Sequence, residues 1–264
     1  MPDRYQRYPG IGGGAVRLSA VIITKNVAQD LPQCLASLDF VDEIVVLDSG
    51  SSDQTLALAE AAGAKVFQSQ GWPGFGPQRQ LAQQHAQGEW LFWIDADEVV
   101  TPELKAAILA AIEDSTPGVV YRANRLSDFF GRFIKTSGWY PDRIVRLYRR
   151  SEYRYDDALV HEKVACQGAK VKDLPGHLLH YTTGDFTSYL QKSVRYANDW
   201  AEGKAKRGKK AGLLSACLHG LAAFLRKFVL QRGFLDGKHG FLLAMFTAHY
   251  AFNKYAALWI KSRR

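Results

Sequence analysis

Between residues 18 and 112, short apolar runs alternate with helix-like segments, and that alternation leaves the chain few folds to choose from. Leu18 to Thr24 is β-branched and apolar, reads as a first strand, and is closed by Asn26. The helix that follows carries Leu31, Leu35 and Leu38 on one face. Glu43 to Asp48 reads as the second strand, and Gly50-Ser51-Ser52-Asp53 as a turn. Asp53 is a candidate N-cap for a helix over Thr55 to Ala62 that stops at Gly63. Ala64 to Phe67 is a short third strand. The glycine-rich loop Gly71 to Pro77 precedes a helix over Gln78 to Ala86. A helix from Pro102 buries Leu104, Ile108 and Ile112. Strand and helix alternating in this way predict an α/β fold with a mostly parallel sheet covered on both faces.

The apolar run Trp90-Leu91-Phe92-Trp93-Ile94 ends abruptly in Asp95-Ala96-Asp97-Glu98. As a buried strand it delivers these acids to the carboxyl edge of the sheet, where open α/β folds place their ligands. Asp95 and Asp97, two apart on an extended chain, point the same way. Like charges that close repel unless a cation or donor group lies between them. A hard divalent ion shared with a substrate phosphate meets that need. The plainer reading is an acidic turn before a capped helix, since Thr101-Pro102-Glu103 is a good helix start.

After Pro117 the pattern changes. Val119 to Arg122 and Arg143 to Tyr148 read as strands around an aromatic, basic loop that contains Phe129, Phe130, Trp139 and Tyr140. From Phe186 the chain turns helical, with a basic run at Lys204, Lys206, Arg207, Lys209 and Lys210. Phe241 to Ile260 is about long enough to span a bilayer but is interrupted by His249, Asn253 and Lys254. Leu213 to Leu225 is too short to span. An amphipathic pair lying in the membrane interface, with basic flanks toward anionic headgroups, fits better than a span; core helices are the alternative. The net charge of +8 implies an anionic partner. Basic segments beside apolar runs favour lipid over nucleic acid. Cys34, Cys166 and Cys217 are scattered and form no paired motif, which points to a reducing compartment. The polar N-terminus has no apolar signal region, so a cytoplasmic protein is expected.

Three motifs, Val21-Ile22-Ile23-Thr24-Lys25-Asn26, Glu43 through Asp53, and Ile94-Asp95-Ala96-Asp97-Glu98, together resemble glycosyltransferase family 2 in order and spacing. Pro141-Asp142-Arg143, Val160-His161-Glu162 and Phe234 to Gly240 look like a narrower branch, the lipopolysaccharide inner-core β-1,4-glucosyltransferases of Gram-negative bacteria. The resemblance implies a GT-A fold, a UDP-sugar donor such as UDP-glucose, Mg2+ or Mn2+, and inverting transfer of a hexose to a heptose of a lipid-linked oligosaccharide. It implies residence on the cytoplasmic face of the inner membrane. Residues 1–16 are then a tail, 17–115 the nucleotide-sugar half, 116–185 the acceptor half and 186–264 a membrane-apposed helical segment.

In that reading Thr24 and Asp48 line the nucleoside pocket, although Asp48 serves equally well as a turn residue or helix cap. Ser49 stands where the family commonly has a second Asp, which leaves the base open. Arg79 contacts the donor, or else lies on a solvated helix face. Asp95 meets the ribose or a metal-bound water, Asp97 binds the metal, and Glu98 orients its neighbours. His161 and His180 complete the metal or acceptor site, or are structural. Arg143 and Arg146 face a phosphorylated acceptor or water. Inversion needs a carboxylate to deprotonate the acceptor. Glu162 is the candidate, with Asp156 and Asp157 behind it and an exposed edge acid as the plainer alternative. A transferase acting on a polyprenyl phosphate or another envelope glycan is the alternative enzyme. A sugar-1-phosphate nucleotidyltransferase fits poorly, because Thr24-Lys25-Asn26 lacks the glycine-rich phosphate loop. A basic nucleic-acid-binding protein is the non-enzymatic alternative, and no nucleic acid is expected.

Overall fold

The computed structural model describes residues 15–114, 116–182 and 185–263. Most of the expected tail lies outside them. The elements run β1 (Leu18–Thr24), α1 (Leu31–Ala36), β2 (Glu43–Asp48), α2 (Thr55–Ala61), β3 (Lys65–Gln68), α3 (Phe75–His85), β4 (Trp90–Trp93), β5 (Glu98–Val100) and α4 (Pro102–Ala111). Then come β6 (Val119–Ser127), β7 (Asp142–Arg149), β8 (Lys170–His180), α5 (Phe186–Ala205), α6 (Leu213–Leu225) and α7 (Gly237–Lys261).

The strands form one sheet in the order β3-β2-β1-β4-β7-β6-β8-β5. β3, β2, β1 and β4 pair in parallel, as the strand–helix alternation predicts. Beyond β4 the pairing turns antiparallel, at β4 with β7 and at β5 with β8. The sheet is therefore mixed.

Strand periodicity divides the core in two. Ala20, Ile22, Val46 and Phe92 face one side, where Leu31, Cys34 and Leu35 of α1, Leu38 just after it, and Leu104 and Ile108 of α4 cover them. Their chain neighbours Val21, Val45, Leu47, Leu91 and Trp93 face the other side, under Ala82 of α3. Each large apolar side chain buried this way contributes roughly 1.5–3 kcal/mol. Both layers end at the carboxyl edge of β1, β2 and β4, where the candidate residues emerge.

Contacts divide the chain into two compact units, one of residues up to Arg125 with Arg143–His180, the other of Leu126–Asp142 with Tyr181–Arg264. The aromatic loop between β6 and β7 thus groups with the C-terminal helices. Phe129 centres that second unit, packed with Phe130, Trp139, Tyr189 and Phe246 around Leu243.

Candidate active site

At the ends of β1 and β2, Thr24 and Asp48 are both buried, and the Thr24 hydroxyl donates to Asp48 Oδ2 at 2.9 Å. Oδ1 of Asp48 accepts the backbone N–H groups of Gly50 (2.8 Å) and Ser51 (2.7 Å), and the Ser51 hydroxyl donates to Oδ2. Both oxygens are engaged by the turn after β2. Asp48 therefore shapes that turn, and a nucleoside group donating to Asp48 has to displace one of these donors. Asn26, in the left-handed region at φ 53°, accepts the Ser52 N–H on its side-chain oxygen and ties the ends of β1 and β2 together.

The acidic run does not continue β4. The strand stops at Trp93, and a turn closed by Glu98 N–H to Asp95 carbonyl (2.9 Å) carries Ala96 and Asp97. Asp95 and Asp97 therefore do not share the face expected of an extended chain; they flank a bend and take different partners. Asp95 Oδ1 accepts from Arg79 Nη2 at 2.7 Å, and its Oδ2 from Arg146 Nη2 at 2.5 Å. Burial works against the charge of Asp95, but Arg146 and Arg79 outweigh it and hold the carboxyl well below the ordinary range. Glu98 is fully buried. It accepts from Arg146 at 2.9 and 3.0 Å and from the Asp95 backbone N–H at 2.9 Å, so it positions its neighbours as expected. Burial pushes the Glu98 carboxyl up, against the pull of Arg146. Two guanidinium groups thus offset the charges of Asp95 and Glu98.

Arg79 is not on a solvated face. Its side chain is 5% exposed, and its guanidinium lies 5.4 Å from the Trp93 ring centroid and 4.9 Å from that of Tyr155. Its Nε donates to Glu162 Oε1 at 3.0 Å, so one side chain bridges Asp95 and Glu162. The approach depends on the glycine-rich loop. Gly76 N–H donates to the Ala158 carbonyl at 2.9 Å, and a Cβ on Gly76 would sit 2.1 Å from the Asp156 carbonyl oxygen. Only glycine lets the 156–162 loop rest on the start of α3. His161, in the left-handed region at φ 62°, turns the chain immediately before Glu162. Asp156 braces the loop itself through Oδ1, which accepts the N–H groups of Ala158 (3.3 Å) and Lys163 (3.2 Å). Asp157 is exposed and accepts from Gln80 Nε2 at 2.8 Å. Arg146 is buried between Asp95 and Glu98 rather than facing water. Arg143 lies outside this network, 3.5 Å from Asp173.

Asp97 Oδ2 lies 3.2 Å from His180 Nε2, and the Asp97 side chain is one-third exposed. No cluster of three or more His, Cys, Asp or Glu residues able to enclose a metal exists among the described residues. The pair suits an ion that takes one or two protein ligands and fills its shell with substrate oxygens, the habit of Mg2+ beside phosphates. Asp30, just before α1, is a residue the sequence pattern did not single out. Its carboxyl is raised by burial and by the charge of Asp97, so a second acid borders this rim. Its position before a helix beginning Leu31-Pro32 reads as an ordinary cap, which concealed it.

Residues 19–194 match the family described as glycosyl transferase family 2. The chain is 31% identical over 240 residues to the lipopolysaccharide core biosynthesis glycosyltransferase LpsC of Rhizobium meliloti, covering 89% of each chain. It is 27% identical to an uncharacterized glycosyltransferase of Rickettsia felis, covering 92% of this chain and 89% of the other. Among solved structures it is similar to the mannosyltransferase PcManGT from Pyrobaculum calidifontis, solved with GDP-Man and Mn2+. That likeness has a TM-score of 0.50 at 16% identity and covers 95% of this chain and 77% of the other. The mixed sheet flanked by helices is accordingly the GT-A architecture, and the chain belongs to glycosyl transferase family 2.

Proposed function

We propose that this glycosyltransferase moves a hexose, glucose from UDP-glucose, onto a heptose of a lipid-anchored lipopolysaccharide inner core, with inversion. The acceptor class is supported by similarity along nearly the whole chain to a relative named for lipopolysaccharide core biosynthesis. The observation that carries the mechanism is Arg79, which joins Asp95 at the end of β4 to Glu162 on the 156–162 loop. It sets a candidate base beside the acids of the donor edge.

The acceptor hydroxyl attacks the anomeric carbon from the face opposite the diphosphate. Its proton passes to Glu162, and the electron pair of the breaking C–O bond leaves with the nucleotide diphosphate. Arg79 holds Glu162 Oε1 and leaves Oε2 to take the proton. Asp95, kept ionised by two arginines, is an acceptor fit for ribose hydroxyls. Asp97 and His180 are the residues that would hold Mg2+ or Mn2+. When bound, that ion supplies charge neutralisation for the departing diphosphate.

The test is incubation with UDP-glucose, UDP-galactose, GDP-mannose and ADP-heptose, each with heptose-terminated core lipid or with polyprenyl phosphate. Transfer from UDP-glucose to the heptose lipid is expected. Preference for another sugar overturns the donor, and transfer to polyprenyl phosphate overturns the acceptor.

A further inference from the structure

The C-terminal unit carries an apolar surface that nothing in the proposed reaction uses. Leu214, Leu218, Leu221 and Leu225 recur along one face of α6 and are exposed. The opposite face is closed. Ala216 and Gly220 are buried, and a Cβ on Gly220 would lie 3.3 Å from the Ala248 carbonyl of α7. After Leu225 the helix continues through a π turn, Arg226–Leu230, so the continuous apolar helix covers Leu213–Leu230. These 18 residues are long and apolar enough to cross a membrane, unlike the shorter run expected from sequence, and only 11% of them are buried. Phe241–Ile260, the segment judged by its length, does not meet that criterion.

Beyond the π turn, a tight 3-10 turn, Gly233–Asp236, presents Phe234 and Leu235, which are 51% and 59% exposed. They are held out by a locked corner. Asp236 is buried and accepts the Thr136 N–H at 2.9 Å together with the Thr136 hydroxyl. Gly233 and Gly240 are buried, and a Cβ on Gly240 would meet the Gly233 carbonyl oxygen at 1.8 Å. Lys227 Nζ donates to the Ser137 carbonyl at 2.5 Å and ties the π turn to the same corner.

Charge is concentrated here. Residues 203–264 hold thirteen of the 34 Lys and Arg but only one of the 26 Asp and Glu, the buried Asp236. Residues 1–202 are left with 21 basic and 25 acidic residues, so the positive balance of the chain comes from this segment. Arg226, Arg232 and Lys238 directly flank the exposed apolar side chains.

We propose that the outer face of α6, its π extension and the Phe234–Leu235 turn form a docking surface for an anionic phospholipid bilayer. The apolar side chains enter the interface while the flanking cations meet the headgroups. The helix lies in the plane of the membrane rather than crossing it, because its apolar exposure is one-sided and its other face is packed on α7. A second copy of the chain fits less well, since two such faces would bring like charges together. The surface gives a lipid-anchored acceptor a reason to meet the enzyme, and in that respect it rests on the proposed function; its test does not.

The full-length protein is sedimented with vesicles of phosphatidylethanolamine and phosphatidylglycerol, and with vesicles of phosphatidylcholine alone. Binding to the anionic vesicles is expected, weakened about tenfold or more by high salt. The double variants Phe234→Ser/Leu235→Ser and Leu218→Ser/Leu221→Ser should each lose at least about tenfold in partitioning. Both should keep parental hydrolysis of UDP-glucose in detergent. Equal binding to neutral vesicles overturns the anionic partner. Resistance to alkaline carbonate extraction overturns the in-plane helix in favour of a span. Self-association lost in the leucine variant, without vesicle binding, assigns the face to a second copy. If UDP-glucose is not a donor while vesicle binding persists, the reaction reading fails and this surface stands.

Discussion

Arg79 is the residue on which the site turns, because it serves two carboxylates at once. Glu162→Gln keeps the size of the side chain and removes the proton acceptor, so turnover should fall about a hundred- to ten-thousand-fold. Donor affinity measured by calorimetry should barely change. Asp97→Asn, or chelation of the parent protein, should weaken donor binding together with turnover. Near-parental turnover in Glu162→Gln with loss in Asp157→Asn would move the base to Asp157. Asp95 yields a second expectation, with its sign fixed by the two arginines. Its folded pKa is depressed, so its contribution to stability is present above the unfolded value of about 4 and is lost as pH falls below it. Glu98, raised by burial, acts in the opposite sense: its contribution is present at low pH and lost as pH rises through its folded value. Asp95→Asn should therefore flatten the acid limb of urea-unfolding free energy against pH. It should also cost about 3–5 kcal/mol at neutral pH by leaving buried guanidinium charge uncompensated. An unchanged acid limb would show that the pair does not act on stability. The acids themselves were legible in the sequence because three of them end one apolar run. Their partners were not, since Arg79 and Arg146 reach them from 16 and 51 residues away.

At the scale of elements, the parallel half of the sheet was readable because each strand is a short apolar run bounded by turn residues. β1 and β2 begin and end where that pattern places them. β8 was not readable. Of its eleven residues only Leu174 and Leu178 are buried, a spacing of four that fits a strand face and a helix face alike, and Pro175-Gly176 interrupts it. β5 has three residues, too few to show a period. α3 starts at Phe75, earlier than expected, because Gly76 and Pro77 of the loop form part of its first turn. That start carries its own prediction. Gly76→Ala places a methyl group against the Asp156 carbonyl and should force the 156–162 loop off α3. The cost should be about 1–3 kcal/mol in thermal unfolding, with turnover reduced more than donor affinity because Glu162 moves with the loop. Parental turnover in a folded Gly76→Ala protein would mean that the loop position does not matter for chemistry.

On the whole-molecule scale, the two units divide the labour suggested by their surfaces. One carries the acidic, arginine-braced edge; the other carries all of the unbalanced positive charge beside exposed apolar side chains. The sequence showed that basic and apolar segments adjoin, but not that α6 extends through a π turn or that Asp236 locks Phe234 and Leu235 outward. Those features depend on contacts made a hundred residues away in the chain. The central claim is inverting transfer to a heptose of the core lipid, and one measurement tests it most directly. The purified protein is given UDP-glucose, Mn2+ and heptose-terminated core lipid, and the anomeric proton coupling of the new glycoside is read by NMR. A β-linked glucose on heptose is the predicted product. An α-linked product, or no transfer while a different acceptor is glycosylated, would contradict the account.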